Sequence, residues 1–506
     1  MNHTENSSPT NWTKRNWIWI ATAVTGAIGA LLRIRQYLAA RSLWLDEAMI
    51  ALNILDRSYE DLLKPLDYSQ GAPIGFLLVQ KMVANFIGQG EYALRLLPLL
   101  SGLLALIIFP FVARKYLTPR SALWAMILFS FANPLIYYAS EVKQYSTDIL
   151  ATVLCLVIFL YMLERLLHVV DVIWLGPLGA AIVWFSHPSI FVLAATGLII
   201  FFISLREGNR YKLVLVLAVG FFWIASFLLS IVISLESLAQ NQVLLDYWKS
   251  GFIPATAPVI EVFTWLLDRF LSMFNGVIGL ALTGLALAIS LFGAITMARR
   301  DKPHFFSLVL PILFLLIASY LQRYPFSGRL ILFLAPLIML LLAEGIEQLL
   351  TLPGARHHKV ASWLVVYLLL FQPIKQTVEY ARNPKVREDI APVIDYAYQN
   401  WQEGDMVYVY HGSYPAFTFY LPYFPIPEDS IIKGGYSPRE WTEYFKALDD
   451  LSSEHKRVWF IFSHVNISDG ANEELLLVRY LNRIGGKQIE AFRAIGASAY
   501  LYEFST

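Results

Sequence analysis

The sequence predicts an all-α polytopic membrane bundle of about 11 transmembrane helices, followed by a small C-terminal α/β domain outside the membrane. Hydrophobic residues make up 57% of the 506 residues and charged residues only 15%, against roughly 45–50% and about 25% in soluble proteins. The apolar residues form long runs, whereas the C-terminal part alternates between short strand-like and helix-like patterns. This composition excludes a soluble, disordered or coiled-coil protein, and the net charge of +1 gives no support to a nucleic-acid partner.

Eleven stretches are long and apolar enough for membrane spans, each of which needs about 20 mostly apolar residues. We predict them near 16–33, 94–113, 121–139, 147–163, 172–187, 189–205, 212–234, 276–298, 304–321, 330–350 and 360–374. The stretch 72–88 is also apolar, but Gln80, Lys81 and Asn85 favour a helix that lies in the interface. Loop charge agrees, because with a cytoplasmic N-terminus and no crossing at 72–88 the short basic loops all lie inside.

This topology leaves three larger segments on the outer side. They are the outer loops 34–93 and 235–275 and the chain after about residue 376. We therefore divide the chain into a transmembrane domain, 1–376, and an extracytoplasmic α/β domain, 377–506. In the latter we expect strands at 406–410, 458–462 and 499–503 and helices at 386–401, 438–451 and 471–484. The expected location is the inner cell membrane of a bacterium, and the single cysteine, Cys155, excludes an intrachain disulfide and a thiolate zinc site.

Ionisable residues at the outer ends of the spans form the candidate site, because charge is costly in lipid and is kept there for function. These residues, with one tyrosine among them, are Asp46, Glu47, Arg95, Glu141, Lys143, Tyr145, Asp148, His187, Arg323 and Arg329. One carboxylate with several cations suits displacement at a carbon that bears a phosphate leaving group. The carboxylate takes the proton of the acceptor, and the cations stabilise the departing phosphate. A membrane bundle is needed if that phosphate carries a lipid tail.

Each of these residues also has an ordinary structural explanation. The acidic pair could be solvated or could cap a helix, Glu141 could pair with Lys143, and His187 could be a satisfied turn residue. The arginines could reach the interface or bind lipid headgroups.

Five segments, in this order, resemble membrane glycosyltransferases with the GT-C fold. The segments are Leu43-Trp-Leu-Asp-Glu-Ala48, Ala72-Pro-Ile-Gly-Phe76, Glu91-Tyr-Ala-Leu-Arg95, Ser140-Glu-Val-Lys-Gln-Tyr145 and Tyr324-Pro-Phe-Ser-Gly-Arg-Leu-Ile-Leu-Phe-Leu334. The resemblance is to the bacterial branch of family 39, which includes protein O-mannosyltransferases, the aminoarabinose transferases of lipid A and RgtA/B/C/D-like enzymes. It is clearest over about 40–190. Two residues depart from the pattern: Ala72 replaces a proline, and Lys143 replaces an arginine.

The resemblance implies an inverting hexosyl- or pentosyltransferase that takes a sugar from a polyprenyl phosphate at the outer leaflet. Carried over to this sequence, Asp46 is the candidate base, with Glu47 beside it. The candidate donor-phosphate ligands are Arg95, Lys143, Arg323 and Arg329. Glu141, Tyr145 and His187 would orient the substrates, and whether a divalent metal ion is bound stays open.

Two other functions are kept as alternatives. One is a transporter or flippase of lipid-linked sugars, which would bind the same lipid without chemistry; the paired repeats of many transporters are not visible in the sequence. The other is a catalytically silent relative that acts as a glycan- or protein-binding module. The sequence names neither the sugar nor the acceptor, which could be a lipid, a protein or a polysaccharide.

Overall fold

The computed structural model describes residues 9–435, 441–468 and 470–504. It confirms an α-helical bundle with a small C-terminal sheet domain. The helices are α1 Pro9–Tyr37, α2 Leu45–Asp56, α3 Ile74–Phe86, α4 Glu91–Leu94, α5 Leu96–Tyr116, α6 Pro119–Phe131, α7 Asn133–Tyr138, α8 Tyr145–Glu164, α9 Val169–Phe185, α10 Ser189–Arg206, α11 Arg210–Ser230, α12 Glu236–Ala239, α13 Gln242–Tyr247, α14 Val259–Met273, α15 Thr283–Arg300, α16 Lys302–Tyr320, α17 Ala335–Thr351, α18 Arg356–Arg382, α19 Ala391–Gln399, α20 Tyr414–Tyr420, α21 Trp441–Glu454 and α22 Glu473–Arg483. The strands are β1 Met406–Val409, β2 Ile431–Lys433, β3 Arg457–Ser463, β4 Ile467–Ser468, β5 Ala471–Asn472, β6 Lys487–Ala494 and β7 Ala497–Glu503.

The chain divides into two compact units. The first, here the bundle unit, comprises Met1–Ala39, Ser58–Gly88 and Tyr92–Pro384. The second, here the C-terminal unit, comprises Ala40–Arg57, Gln89–Glu91 and Lys385–Thr506. The C-terminal unit therefore includes a piece of the first predicted outer loop, and that piece carries Asp46 and Glu47.

Helices overlap every predicted span of the bundle unit. Within the described residues, seven helical segments are long and apolar enough to cross a membrane, or eight if the bent pair Val259–Ile278 and Thr283–Arg300 is one span. The predicted span 121–139 is broken at Ala132, because Pro134 follows and disfavours continuation of α6. Helix α3 has 13 residues and so reaches about 20 Å, which is short of the roughly 30 Å apolar core of a bilayer.

A buried arginine donates hydrogen bonds to the end of α6, where the predicted span is interrupted. Arg33 of α1 is 1% exposed and donates to the carbonyl oxygens of Phe129, at 3.0 Å, and Ser130, at 3.5 Å. It also donates to the Gly29 carbonyl oxygen at 2.9 Å. Since the last carbonyls of a helix lack intrahelical donors, Arg33 supplies donors to two of them. Its burial in a spanning helix therefore has a structural explanation.

Two glycines bring α15 and α17 into backbone contact. A Cβ atom on Gly293 would lie 2.0 Å from the Leu341 carbonyl oxygen, and one on Gly345 would lie 2.0 Å from the Ile289 carbonyl oxygen. Small residues at such crossings are typical of membrane helices, which associate through close packing.

Three elements of the bundle unit begin side by side: α5, α8 and a 3₁₀ segment at Gly328–Leu334. Near the start of α5, Gly102 packs against Ala139, and Ser101 lies 3.4 Å from the Thr147 hydroxyl of α8. The 3₁₀ segment packs against α8 and leads into α17. Residues that precede or open these three elements are therefore gathered at one end of the bundle.

The C-terminal unit contains a five-stranded sheet in the order β2-β1-β3-β7-β6. Strand β1 is parallel to β2 and β3, whereas β3–β7 and β7–β6 are antiparallel. The three predicted strands correspond to β1, β3 and β7, and the three predicted helices overlap α19, α21 and α22. The chain runs from β1 to β2 on one side of β1 and then returns to β3 on the other side. The order of the strands therefore reverses between β1 and β3. Ligands of α/β sheets bind at such switch points, outside the carboxyl ends of the strands.

Candidate active site

The candidate residues fall into two groups, one in each compact unit. The first is the acidic segment, residues 41–47 of the C-terminal unit. Helix α2 begins at Leu45, so Asp46 and Glu47 both lie in its first turn. Carboxylates are stabilised there by the partial positive charge of the helix N-terminus.

The two acidic residues differ in their surroundings. Glu47 is fully buried, and Arg41 Nη2 lies 3.5 Å from its Oε2. Asp46, next to it, is half-buried. Breaking a buried ion pair leaves an uncompensated charge, so Glu47 is suited to holding the segment in place. Asp46 is the more exposed of the two carboxylates.

Residues of the polypeptide beyond 380 hold the acidic segment. Ser42 Oγ donates to Asp389 Oδ1 and accepts from the Ala391 amide at 3.1 Å. The Leu43 amide donates to the Tyr420 hydroxyl at 2.8 Å. Specific hydrogen bonds thus fix the two residues that precede Trp44.

A histidine and a glutamate of the same unit complete the surroundings of Asp46. His464 Nδ1 lies 2.7 Å from Glu388 Oε1, and the Leu45 amide donates to Glu388 Oε2 at 3.4 Å. The His464 ring packs at 6.1 Å from the Trp44 ring, while Arg387 stacks on Trp44 at 4.2 Å. Burial opposes the charged ring, but the hydrogen bond and charge of Glu388, with the Asp46 charge, raise the pKa of His464.

Sequence reasoning missed Arg387, Glu388 and His464. One signal was present, since His464 follows the carboxyl end of the predicted strand 458–462, where α/β sheets carry functional side chains. Nothing in the sequence links that position to residue 46.

The second group, here the cation group, is Arg95, Lys143 and Arg329 of the bundle unit. Arg95 directly precedes α5, Lys143 lies two residues before α8, and Arg329 is the second residue of the 3₁₀ segment. The three residues therefore lie at the starts of elements that pack in sequence, α5 against α8 and α8 against the 3₁₀ segment. Arg95 is 1% exposed and Lys143 is 4% exposed.

Lys143 and Arg329 have identifiable neighbours. Lys143 Nζ donates to Gln70 Oε1 at 2.6 Å. The Arg329 guanidinium lies 5.9 Å from the Tyr145 ring centre and 5.8 Å from that of Trp248. Such cation–π contacts help to hold a guanidinium in a fixed position.

The loop that carries Trp248 is tied to the segment that carries Arg329. The Phe326 amide donates to the Gly251 carbonyl at 2.7 Å, and Arg269 donates to the Ser327 hydroxyl at 3.1 Å. Gly328 adopts φ 54°, a left-handed conformation that favours glycine, and packs against the Trp248 ring. Sequence reasoning missed Gln70, Trp248 and Arg269, which no local pattern marks.

The remaining predicted residues lie at different depths. Glu141 is fully buried beside Lys143, and Tyr145 and Asp148 are buried at the start of α8. His187 lies in the turn between α9 and α10, where burial lowers its pKa to about 4, so the ring is neutral at pH 7. Arg323, by contrast, is exposed after the end of α16. Arg323 is therefore the most exposed of the four cations that the sequence predicts as phosphate ligands.

Within residues 9–435, 441–468 and 470–504, no three His, Cys, Asp or Glu side chains are grouped so that they could hold a metal ion.

Comparison with solved structures identifies the fold. The chain is similar to ArnT from Cupriavidus metallidurans in its apo state, with a TM-score of 0.53 and 13% identity over 97% of this chain and 98% of that one. ArnT bound to undecaprenyl phosphate gives a TM-score of 0.54 and 14% identity over 96% and 98% of the two chains. The Archaeoglobus fulgidus oligosaccharyltransferase tethered to an acceptor peptide gives 0.50 and 10% over 89% and 69%. No family profile and no curated protein sequence matches the chain. The bundle and its C-terminal domain therefore have the GT-C fold of these membrane glycosyltransferases.

Proposed function

We propose that this chain is an inverting glycosyltransferase that moves a sugar from a polyprenyl-phosphate donor to an acceptor at the outer face of the membrane. The observation that carries the proposal is the cation group, three basic residues at the starts of neighbouring elements of an apolar bundle, two of them buried. Clustered cations bind phosphate, and buried charge in a membrane protein is kept for function. A protein of the same fold has been crystallised with undecaprenyl phosphate, which supports a donor of that chemical class.

In this proposal the cation group binds the donor phosphate. Arg95 and Arg329 present planar guanidinium groups that can donate two parallel hydrogen bonds, whereas Lys143 acts as a compact point charge. Tyr145 and Trp248 help to keep Arg329 in position. As the sugar leaves, negative charge grows on the phosphate, and fixed cations stabilise that charge more than they stabilise the bound donor.

Asp46 acts as the general base. The acceptor hydroxyl or amine attacks the anomeric carbon from the face opposite the phosphate, and its proton passes to Asp46. The new bond to the anomeric carbon forms while the bond from that carbon to the phosphate oxygen breaks. The electron pair stays on the phosphate, so the anomeric configuration is inverted. Glu47, held by Arg41, fixes the first turn of α2.

Glu141, Tyr145 and His187 are proposed to orient the donor sugar or the acceptor. The neutral His187 ring can donate one hydrogen bond and accept another, which suits a sugar hydroxyl better than a phosphate. Arg323 is exposed, and its proposed contact with the donor is at most peripheral.

The central experiment replaces Asp46 with asparagine in the full-length protein reconstituted in proteoliposomes. Transfer is followed as release of polyprenyl phosphate from a panel of labelled polyprenyl-phosphate sugars, with lipid, protein and polysaccharide extracts as acceptors. We expect D46N to lose at least 100-fold in turnover, since general bases contribute about 10²–10⁴-fold, while donor binding is retained. Wild-type activity in a folded D46N protein would eliminate Asp46 as the base.

Two arginines provide a matched pair for the donor site. We expect R329Q to weaken binding of undecaprenyl phosphate at least tenfold, whereas R323Q, which alters an exposed arginine, should bind nearly as well as wild type. Equal losses in both would contradict the cation group. The same assays separate the alternatives, because a flippase or a silent binding protein would bind the lipid and yet release no polyprenyl phosphate from any donor.

A further inference from the structure

We propose that Glu388 and His464 of the C-terminal unit are positioning residues for the carboxylate of Asp46. The geometry rests on three contacts within that unit. Glu388 Oε2 accepts from the Leu45 amide at 3.4 Å, Glu388 Oε1 lies 2.7 Å from His464 Nδ1, and His464 packs on Trp44 at 6.1 Å. Glu388 thus contacts Leu45, and His464 contacts Trp44, which are the two residues that precede Asp46. The inference takes the role of Asp46 from the proposed function.

Glu388 fixes the backbone at the start of α2. The first amides of a helix lack intrahelical acceptors, and Glu388 supplies an acceptor to the one directly before Asp46. With its other oxygen it orients the His464 ring. Orientation of one side chain by a second through such a bond is common where a carboxylate and a histidine act together.

His464 supplies charge to the same place. Its imidazolium form interacts electrostatically with Asp46 and Glu388, while Arg387 opposes its protonation and His411 also faces it. A cation beside a carboxyl favours the ionised form, which is the form that accepts a proton. Asp46 is therefore kept as a carboxylate at lower pH than it would be alone.

The backbone at His464 supports a dedicated role. Its φ is 49°, a left-handed conformation that non-glycine residues rarely adopt. Strain of this kind persists only where the surrounding structure imposes it, and it is concentrated at functional sites. The residue also follows β3 at its carboxyl end, beside the switch point of the sheet.

The test reads the charge of Asp46 directly. Full-length protein in nanodiscs is treated with a water-soluble carbodiimide and glycine ethyl ester across a pH series, and labelling of Asp46 is measured by peptide mass spectrometry. A carbodiimide reacts with the protonated carboxyl, so the pH of half-maximal labelling follows the pKa of Asp46. Since the His464 side chain is 44% exposed, water screens its charge, and we expect a shift of about half a pH unit rather than the 1–3 units of a desolvated pair.

Asparagine is the best replacement at 464, because it tolerates the left-handed conformation and carries no charge. In H464N we expect Asp46 to label about threefold faster at pH 5, which is half a pH unit expressed as a rate ratio. E388Q removes the bond to His464 but also removes a negative charge near Asp46, and these two changes act on Asp46 in opposite directions. We therefore expect Asp46 to label more slowly in E388Q than in H464N, and H464R, which restores a cation, should return labelling toward wild type. If H464N folds poorly, the other two variants still test the proposal. Glutamine has nearly the shape of Glu388, and arginine keeps the positive charge of protonated His464.

The matched control is His455→Asn. His455 Nε2 lies 4.0 Å from Glu454 Oε2, so it is also a histidine beside a glutamate, but it precedes β3 whereas His464 follows it. H455N should leave the labelling of Asp46 unchanged. Unchanged labelling in H464N, or an equal change in H455N, would overturn the proposal.

Activity gives an independent readout. A positioning role predicts that the acid limb of the turnover–pH profile moves up by the same half unit in H464N, with the KM for the donor little changed. A purely structural role would lower turnover equally at every pH. The two hypotheses also fail separately: an active D46N protein would remove the base, whereas labelling would still report whether His464 acts on Asp46.

Discussion

Replacing Gly293 with alanine tests the close approach of α15 and α17. The new Cβ atom would lie 2.0 Å from the Leu341 carbonyl oxygen and 2.7 Å from the Gly345 amide nitrogen. Carbon and carbonyl oxygen atoms normally approach no closer than about 3.3 Å. Both obstructing atoms belong to backbone and cannot rotate away, so the helices have to separate by about 1 Å or more.

The expected cost follows from two opposing effects. Overpacking a tight interface costs about 3 kcal/mol at the upper end of its usual range, and replacing a helical glycine by alanine returns up to about 1 kcal/mol. The net destabilisation is therefore about 2 kcal/mol. Since the 1 Å separation is transmitted along α17 to the 3₁₀ segment that carries Arg329, activity should fall as well.

The assay is thermal unfolding in detergent, followed by tryptophan fluorescence. The matched control is Gly284→Ala in the same helix, where no atom lies within 4 Å of the added Cβ. G284A should unfold at or slightly above the wild-type temperature, and G293A several degrees below it. Equal melting temperatures for G293A and G284A would refute the steric explanation.

Two further predictions concern orientation and pH. In intact bacterial cells, an impermeant maleimide should label T256C but should label H357C only after permeabilisation. Native Cys155 should stay unlabelled because it is buried. Labelling in the opposite pattern would contradict the predicted topology. For the pH dependence, a raised pKa of His464 means that its protonated form stabilises the folded C-terminal unit. That contribution is complete below the ordinary histidine pKa of about 6.5 and is lost as the pH rises through the raised value. In wild type, hydrogen exchange of peptides containing Glu388 and His464, corrected for intrinsic rates, should therefore show less protection at pH 8 than at pH 6. If H464N lost as much protection between pH 6 and pH 8, His464 would not be the cause.

The sequence was sufficient for the features that depend on local pattern. Apolar runs predicted stretches that helices overlap, but within the described residues only seven or eight helical segments are long and apolar enough to cross a membrane. The costly charges at span ends marked Asp46 and the cation group as candidates, together with Arg323, since a lipid-facing helix would not carry them. The interruption at Ala132 was missed, although Pro134 was visible, because hydropathy alone continues through the break.

Features that depend on tertiary contact could not be read from the sequence. Gln70 meets Lys143 across 73 positions, and Glu388 meets the Leu45 amide across 343. Polar residues in loops are common, and nothing local distinguishes these from solvated ones. Arg323 and Arg329 illustrate the same limit, since they lie six residues apart in one motif. In the structure Arg323 is exposed, whereas Arg329 lies over two aromatic rings.

The bonds that Ser42 and Leu43 make to Asp389 and Tyr420 set a condition on biosynthesis. The acidic segment leaves the ribosome early, but its partners are made roughly 340 residues later, which corresponds to about 20–70 s at a synthesis rate of 5–20 residues per second. During that interval most of the spans are inserted while the proposed base lacks its supporting residues. On the proposed function, transfer activity would therefore be acquired only when the tail has been made and has folded, so an incomplete chain that is already inserted would be inactive.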